Sequence, residues 1–143
     1  MNLGSLNIWP ILIAVIASFA FGGIYYSTLG RQWMAARNVS LADMEKARAE
    51  MSVTPYIVSV IALIVMAVML SGVLVHLARS GMPISIRSGM ISAFLIWLGF
   101  VITTLAVNHS FQGAKRSLTL IDGGHWLGVL LIQGAVLGWW GVG

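Results

Sequence analysis

The sequence predicts an all-α protein: an integral membrane four-helix bundle with a short amphipathic helix in its first loop. Three observations carry that reading. The chain of 143 residues is 59% hydrophobic and only 8% charged, against about a quarter charged in an ordinary soluble domain. Its apolar residues fall into four blocks, each near the roughly 20 residues that a helix needs to cross the hydrocarbon core. Small residues recur in these blocks at a spacing of four, which lets helix backbones approach closely in lipid. Spans are expected at about residues 8–29, 53–78, 84–107 and 118–140, in a single domain.

The first span opens with Trp9, suited to a membrane interface, and Pro10, suited to a first helical turn. It lacks the basic leader of a signal peptide and is read as a retained span. Ala14, Ser18 and Gly22 recur every four residues, and Tyr26 continues their stripe. Tyr25 and Tyr26 either belong to an interfacial aromatic belt or turn a hydroxyl toward the last span. Gly30 to Ser52 is then expected as the one substantial loop. Within it Ser40 and Asp43 have capping-box spacing, with Asp in place of Glu. Good helix formers follow from Met44 to Met51, so a short helix near the headgroups is expected there.

Thr54 and Pro55 read as the cap and first turn of the second span. Its aliphatic interior offers little chemistry, and it is expected to be the most lipid-exposed helix. Ser80-Gly-Met-Pro83 is a turn signal. In the third span Ser85, Gly89, Ser92, Gly99 and Thr103 share one narrow face at helical spacing, a packing stripe. A short loop from Asn108 to Arg116 leads to the fourth span.

That last span is the most informative. At about 100° per residue, Asp122, Trp126, Gln133 and Trp140 fall on one side with His125 at its margin. Gly124, Gly128, Gly134 and Gly138 fall roughly opposite. Neither face suits lipid, so this helix is expected at the centre of the bundle. Ionisable residues within a span are costly and mark a functional hypothesis.

The formal charge of +4 does not indicate nucleic acid. All Lys and Arg lie between or at the ends of the apolar runs, and no basic patch forms on one face. Arg31, Arg37, Lys46, Arg48, Lys115 and Arg116 flank the first and third connections, against only Arg79 and Arg87 on the other side. The positive-inside rule then places the basic loops in the cytoplasm and both termini outside. There is no cysteine, which excludes disulfides and thiolate chemistry.

This topology brings polar groups to one level in the cytoplasmic half. Asp122 and His125, three residues apart on one face, are expected to meet Tyr25, Tyr26, Asn108 and His109. Such a group either fixes helix packing or relays a proton. A metal held by Asp122, His125 and His109 would need the loop histidine to fold back, so no metal and no cofactor is expected. No hydrolase, metalloprotease or phosphate-loop motif occurs, so an enzyme is not the expectation. The packing residues are Gly22, Gly89, Gly99, Gly124, Gly128, Gly134 and Gly138.

Gly22-Gly-Ile-Tyr-Tyr-Ser27, followed by Gly30 and Trp33, resembles the first-span signature of the bacterial membrane protein family named domain of unknown function 1761. Leu118 to His125, followed by Gly134-Ala-Val-Leu-Gly138, resembles its C-terminal signature. The resemblance implies a small four-span integral membrane protein and no assigned activity. The expected function is therefore a structural or accessory subunit of the inner membrane, in contact with the lipid bilayer and self-associating or bound in a larger complex. The alternative is a transporter or channel for a small solute or protons that uses Asp122 and His125.

Overall fold

The computed structural model describes residues 7–50 and 52–141. Met51, the last residue of the expected loop helix, lies outside the described residues. The elements are α1 (Ile8–Arg37), α2 (Leu41–Ala49), α3 (Thr54–Arg79), α4 (Ile86–Phe111) and α5 (Arg116–Trp140). No strand occurs among the described residues. Four of the five helices are long and apolar enough to cross a bilayer, and the chain is a membrane protein. The expected all-α four-span architecture is the one observed.

α1 does not stop near Leu29. Nothing between Gly30 and Arg37 breaks a helix, and Arg31, Gln32, Met34, Ala35 and Ala36 all favour one. The helix ends where Asn38 adopts a left-handed conformation (φ 55°) and its N–H bonds back to the carbonyls of Ala35 and Met34. Thirty residues at 1.5 Å each make about 45 Å, more than the roughly 30 Å hydrocarbon core. Arg31 and Arg37 therefore ride on a helical extension rather than on a loop. α2 is present where expected and is capped as expected. The Ser40 hydroxyl accepts from the Asp43 N–H, and the Asp43 carboxylate accepts from the Ser40 N–H and hydroxyl. Asp43, Glu45 and Lys46 spread around it, and its apolar residues gather on no single face, so the expected amphipathic character is absent.

α5 is the central helix, packed against α1, α3 and α4. The four-residue stripe of α1 runs along it in antiparallel register. Ser18 donates to the Val129 carbonyl at 3.4 Å, Gly22 faces His125, and Tyr26 reaches Asp122. On another side α5 meets α4 backbone to backbone. A Cβ on Gly89 would enter the Gly134 carbonyl, and one on Gly138 would enter the Ser85 carbonyl. Toward α3, the fully buried Gln133 donates from Nε2 to the Leu63 carbonyl at 3.1 Å. Leu70, Leu74, Val129 and Leu137 complete this core.

Two expectations about the outer helices are overturned. α3 is not the most exposed span: it buries Leu63, Ala67, Leu70, Ser71, Gly72 and Leu74. α4 buries only Gly89, Ser92 and Ala93, all in its first half. Moreover, Gly99 is not a packing glycine. Residues Trp97–Val101 form a π turn, in which one extra residue rotates everything after it by about 100° relative to a regular helix. Ser85, Gly89 and Ser92 stay near α5, while Gly99 and Thr103 face outward and a Cβ on Gly99 would meet nothing within 4 Å. The inward positions become Trp97, Ile102 and His109. The outward hydroxyls of Thr103, Thr104 and Ser110 bond to carbonyls four residues back on their own helix.

Candidate functional site: a carboxylate clasp between three helices

Asp122 sits on the second turn of α5, at the end of the bundle where the α1–α2 and α4–α5 connections meet. Those connections are tied together by Lys115, whose Nζ donates 2.8 Å to the Ala35 carbonyl. The Tyr26 hydroxyl of α1 donates to Asp122 Oδ1 at 2.9 Å. Asp122 Oδ2 lies 3.8 Å from His109 Nε2 of α4, within ion-pair range when the imidazole is protonated. On its other edge His109 Nδ1 stands 3.0 Å from the Thr119 hydroxyl. In the tautomer with the proton on Nε2, the ring turns its N–H toward the carboxylate and accepts from Thr119. Both side chains are mostly buried, 12% exposed for His109 and 19% for Asp122. One carboxylate thus joins α1, α4 and α5.

His109 reaches this place because of the π turn. At regular spacing, position 108 would occupy the inward site below Trp97. Asn108 instead is exposed and stands outside the cluster, contrary to the sequence expectation. Trp97 itself fixes the register of the turn by donating from Nε1 to the Gly123 carbonyl at 2.8 Å.

His125 is not the partner of Asp122, although three residues separate them. Its ring points to α1, where Gly22 leaves room for it: a Cβ there would lie 2.9 Å from His125 Nε2. The imidazole is enclosed by rings, with centroids at 4.8 Å to Tyr26, 4.9 Å to Trp126, 5.7 Å to Tyr25 and 6.1 Å to Phe21. Its Nδ1 is buried without a hydrogen-bond partner. Tyr25 turns inward too, but to the backbone, donating 2.9 Å to the Ile121 carbonyl. Gly124 and Gly128 make room for the Tyr25 hydroxyl and the Phe21 ring respectively. Thr119, Trp97 and Phe21 escaped the sequence reading. Thr119 carried a signal, lying three residues before Asp122 on the same face; the other two look like ordinary apolar residues of a span.

Chemically, the cluster can hold or pass a proton between a carboxylate, an imidazole and two hydroxyls, and it can fasten helices. Among the described residues no three His, Cys, Asp or Glu side chains stand close enough to hold a metal ion.

Residues 9–138 match the model of a family described as protein of unknown function (DUF1761). The chain belongs to that family. The match covers nearly all of the chain, from the first interfacial tryptophan of α1 to the last packing glycine of α5, so the family's shared unit is the four-span bundle itself. Neither a curated protein nor a solved structure matches the chain.

Proposed function

We propose that the chain is a structural or accessory subunit of the bacterial inner membrane, assembled with further copies of itself or within a larger complex. The observation that carries this is the division of α4 at its π turn. Before the turn, small residues close the interior by backbone contact with Gly134 and Gly138. From the turn onward, Gly99, Thr103, Ala106 and Ser110 form an exposed stripe of small residues at spacings of four, three and four, with no helix upon it among the described residues. Stripes of this kind are the surfaces through which helices associate in lipid. With the interior filled by Leu70, Leu74, Gln133 and Leu137, the outer face of α4 is where the fold offers contact.

Cysteine placed at Gly99 or Thr103 should crosslink between copies or to a second protein in native membranes, and Gly99→Leu should abolish the product. Recovery of monomer alone, at every expression level, would sink this reading. The second reading is proton or small-solute transport, favoured by the Tyr26–Asp122–His109–Thr119 chain and by the unpartnered Nδ1 of His125. It requires that Asp122→Asn abolish a measurable flux in proteoliposomes and leave folding intact.

A further inference from the structure

The helical extension of α1 brings Ala36 and Arg37 over the short α4–α5 connection. Between them lies a cleft of about 220 Å³, below the roughly 300–1,000 Å³ of a pocket for a drug-sized molecule. Arg37 and Asn38 line it from the end of α1, Gln112 and Lys115 from the connection, and buried Ala36 and Leu118 close its inner side. None of the lining residues is acidic. The cleft therefore gathers two cations and two primary amides with no countercharge.

Its donors are held and unspent. The Arg37 guanidinium lies 4.7 Å over the Trp33 ring, which fixes its plane and leaves its N–H edge for an acceptor. Lys115 uses one of its three N–H groups on the Ala35 carbonyl. α5 begins beside the cleft without a side-chain cap, so the N–H groups of its first turn also face no side-chain acceptor. Next to Gln112, Phe111 is 91% exposed, an apolar side chain at the last residue of a membrane-spanning helix.

We propose that this cleft binds phosphate, supplied by the headgroup of an anionic phospholipid. Basic pockets between helices at a membrane surface suit such headgroups, and each Lys or Arg near the surface strengthens binding roughly fivefold. The exposed Phe111 favours a lipid over a free anion. The inference is independent of the proposed subunit role and of which leaflet faces the cytoplasm.

The test uses the full chain in nanodiscs of mixed phosphatidylglycerol and phosphatidylcholine, with retained lipid counted by native mass spectrometry. The unaltered protein should retain phosphatidylglycerol preferentially. Arg37→Gln should reduce the preference about fivefold, and Arg37→Gln with Lys115→Gln should remove it. Lys115→Arg, which keeps both the charge and a donor for the Ala35 carbonyl, should preserve it. Arg79→Gln with Arg87→Gln, at the other end of the bundle, should leave it unchanged. Equal retention of both lipids by the unaltered protein, or equal loss in the two paired variants, overturns the proposal. Inorganic phosphate is titrated separately into nanodiscs of phosphatidylcholine alone. A saturable shift of the Gly113 amide resonance, lost in Arg37→Gln and unaccompanied by any phosphatidylglycerol preference, would assign the cleft to a soluble anion and overturn the lipid source.

Discussion

Gly89 of α4 and Gly134 of α5 meet with no side chain between them, each backbone carbonyl occupying the space where the other residue's Cβ would stand. In lipid, where apolar contact with a neighbouring helix gains little over contact with acyl chains, this close approach is what dispersion and packing can reward.

The glycines of α4 should accordingly differ sharply in tolerance. Gly89→Ala or Gly134→Ala should destabilise the bundle by about 1–3 kcal/mol through overpacking. Gly99→Ala should be neutral or stabilising by up to about 1 kcal/mol, because alanine favours a helix and the site is open. Thermal unfolding in detergent micelles measures both, and equal effects at Gly89 and Gly99 would contradict the packing described.

For Asp122, removing the hydrogen-bonding group should cost more than removing the charge. Asp122→Asn should be mild, since an amide oxygen still accepts from Tyr26, whereas Asp122→Leu should destabilise by about 1–2 kcal/mol. Tyr26→Phe should lose about 1 kcal/mol and add little in the Asp122→Leu background. A double-mutant cycle with no coupling between Tyr26 and Asp122 would contradict the 2.9 Å bond.

The π turn makes a prediction about chain length. Deleting Leu98 removes the extra residue, lets α4 continue as a regular helix, and should leave His109 facing Thr119. Inserting one alanine after Val101 should instead rotate His109 away by about 100°. A disulfide between His109→Cys and Thr119→Cys should form in the parent and in the deletion and fail in the insertion.

Much of this was legible from composition and spacing. The four spans, the cap at Ser40, the central place of α5 and the α1 stripe ending at Tyr26 all followed from periodicity. The exposure of α3 did not, because a leucine facing another helix and a leucine facing lipid read alike in a membrane. The π turn left no local mark: Trp97-Leu-Gly-Phe-Val101 would suit a regular helix, and only contacts made elsewhere reveal the added residue. Hence Gly99 and Asn108 were misplaced together. His125 was misjudged because spacing along α5 ignores the slot that Gly22 opens on α1.

Asp43 supplies a pH dependence outside the membrane. Hydrogen bonds from the Ser40 hydroxyl, and then from its N–H, hold the carboxyl below its ordinary range. A lowered folded value means that the cap contributes fully above the unfolded pKa, about 3.9, and is lost as pH falls through the folded value. Amide protection at Asp43 and Met44, relative to the intrinsic exchange rate at each pH, should therefore fall at acid pH, and Asp43→Asn should remove that dependence. Protection that stays constant to the lowest accessible pH would contradict the capping geometry.

The basic ends of the bundle should share one side of the membrane. Cysteines at the exposed Ala42 and Gly113 should be labelled together from the cytoplasm, and one at Gly81 from outside, as the charge count requires. Labelling of Ala42 and Gly113 from opposite sides would contradict the contact of Lys115 with Ala35.

The position of α5 bears on how the protein is made. It is the least hydropathic of the four spans and carries Asp122, His125 and Gln133, yet it touches all three others. It is also the last of the four to be synthesised. The first three spans therefore wait in the bilayer with only the contacts that α3 makes to α1 and α4, the Leu63 face of α3 and the Gly89 face of α4 still turned to lipid. Entry of α5 into the membrane and closure of the bundle then become one event. A helix too polar to prefer lipid by itself enters because its polar groups find Tyr26, His109 and the Leu63 carbonyl already in place, so biogenesis has a single late commitment step.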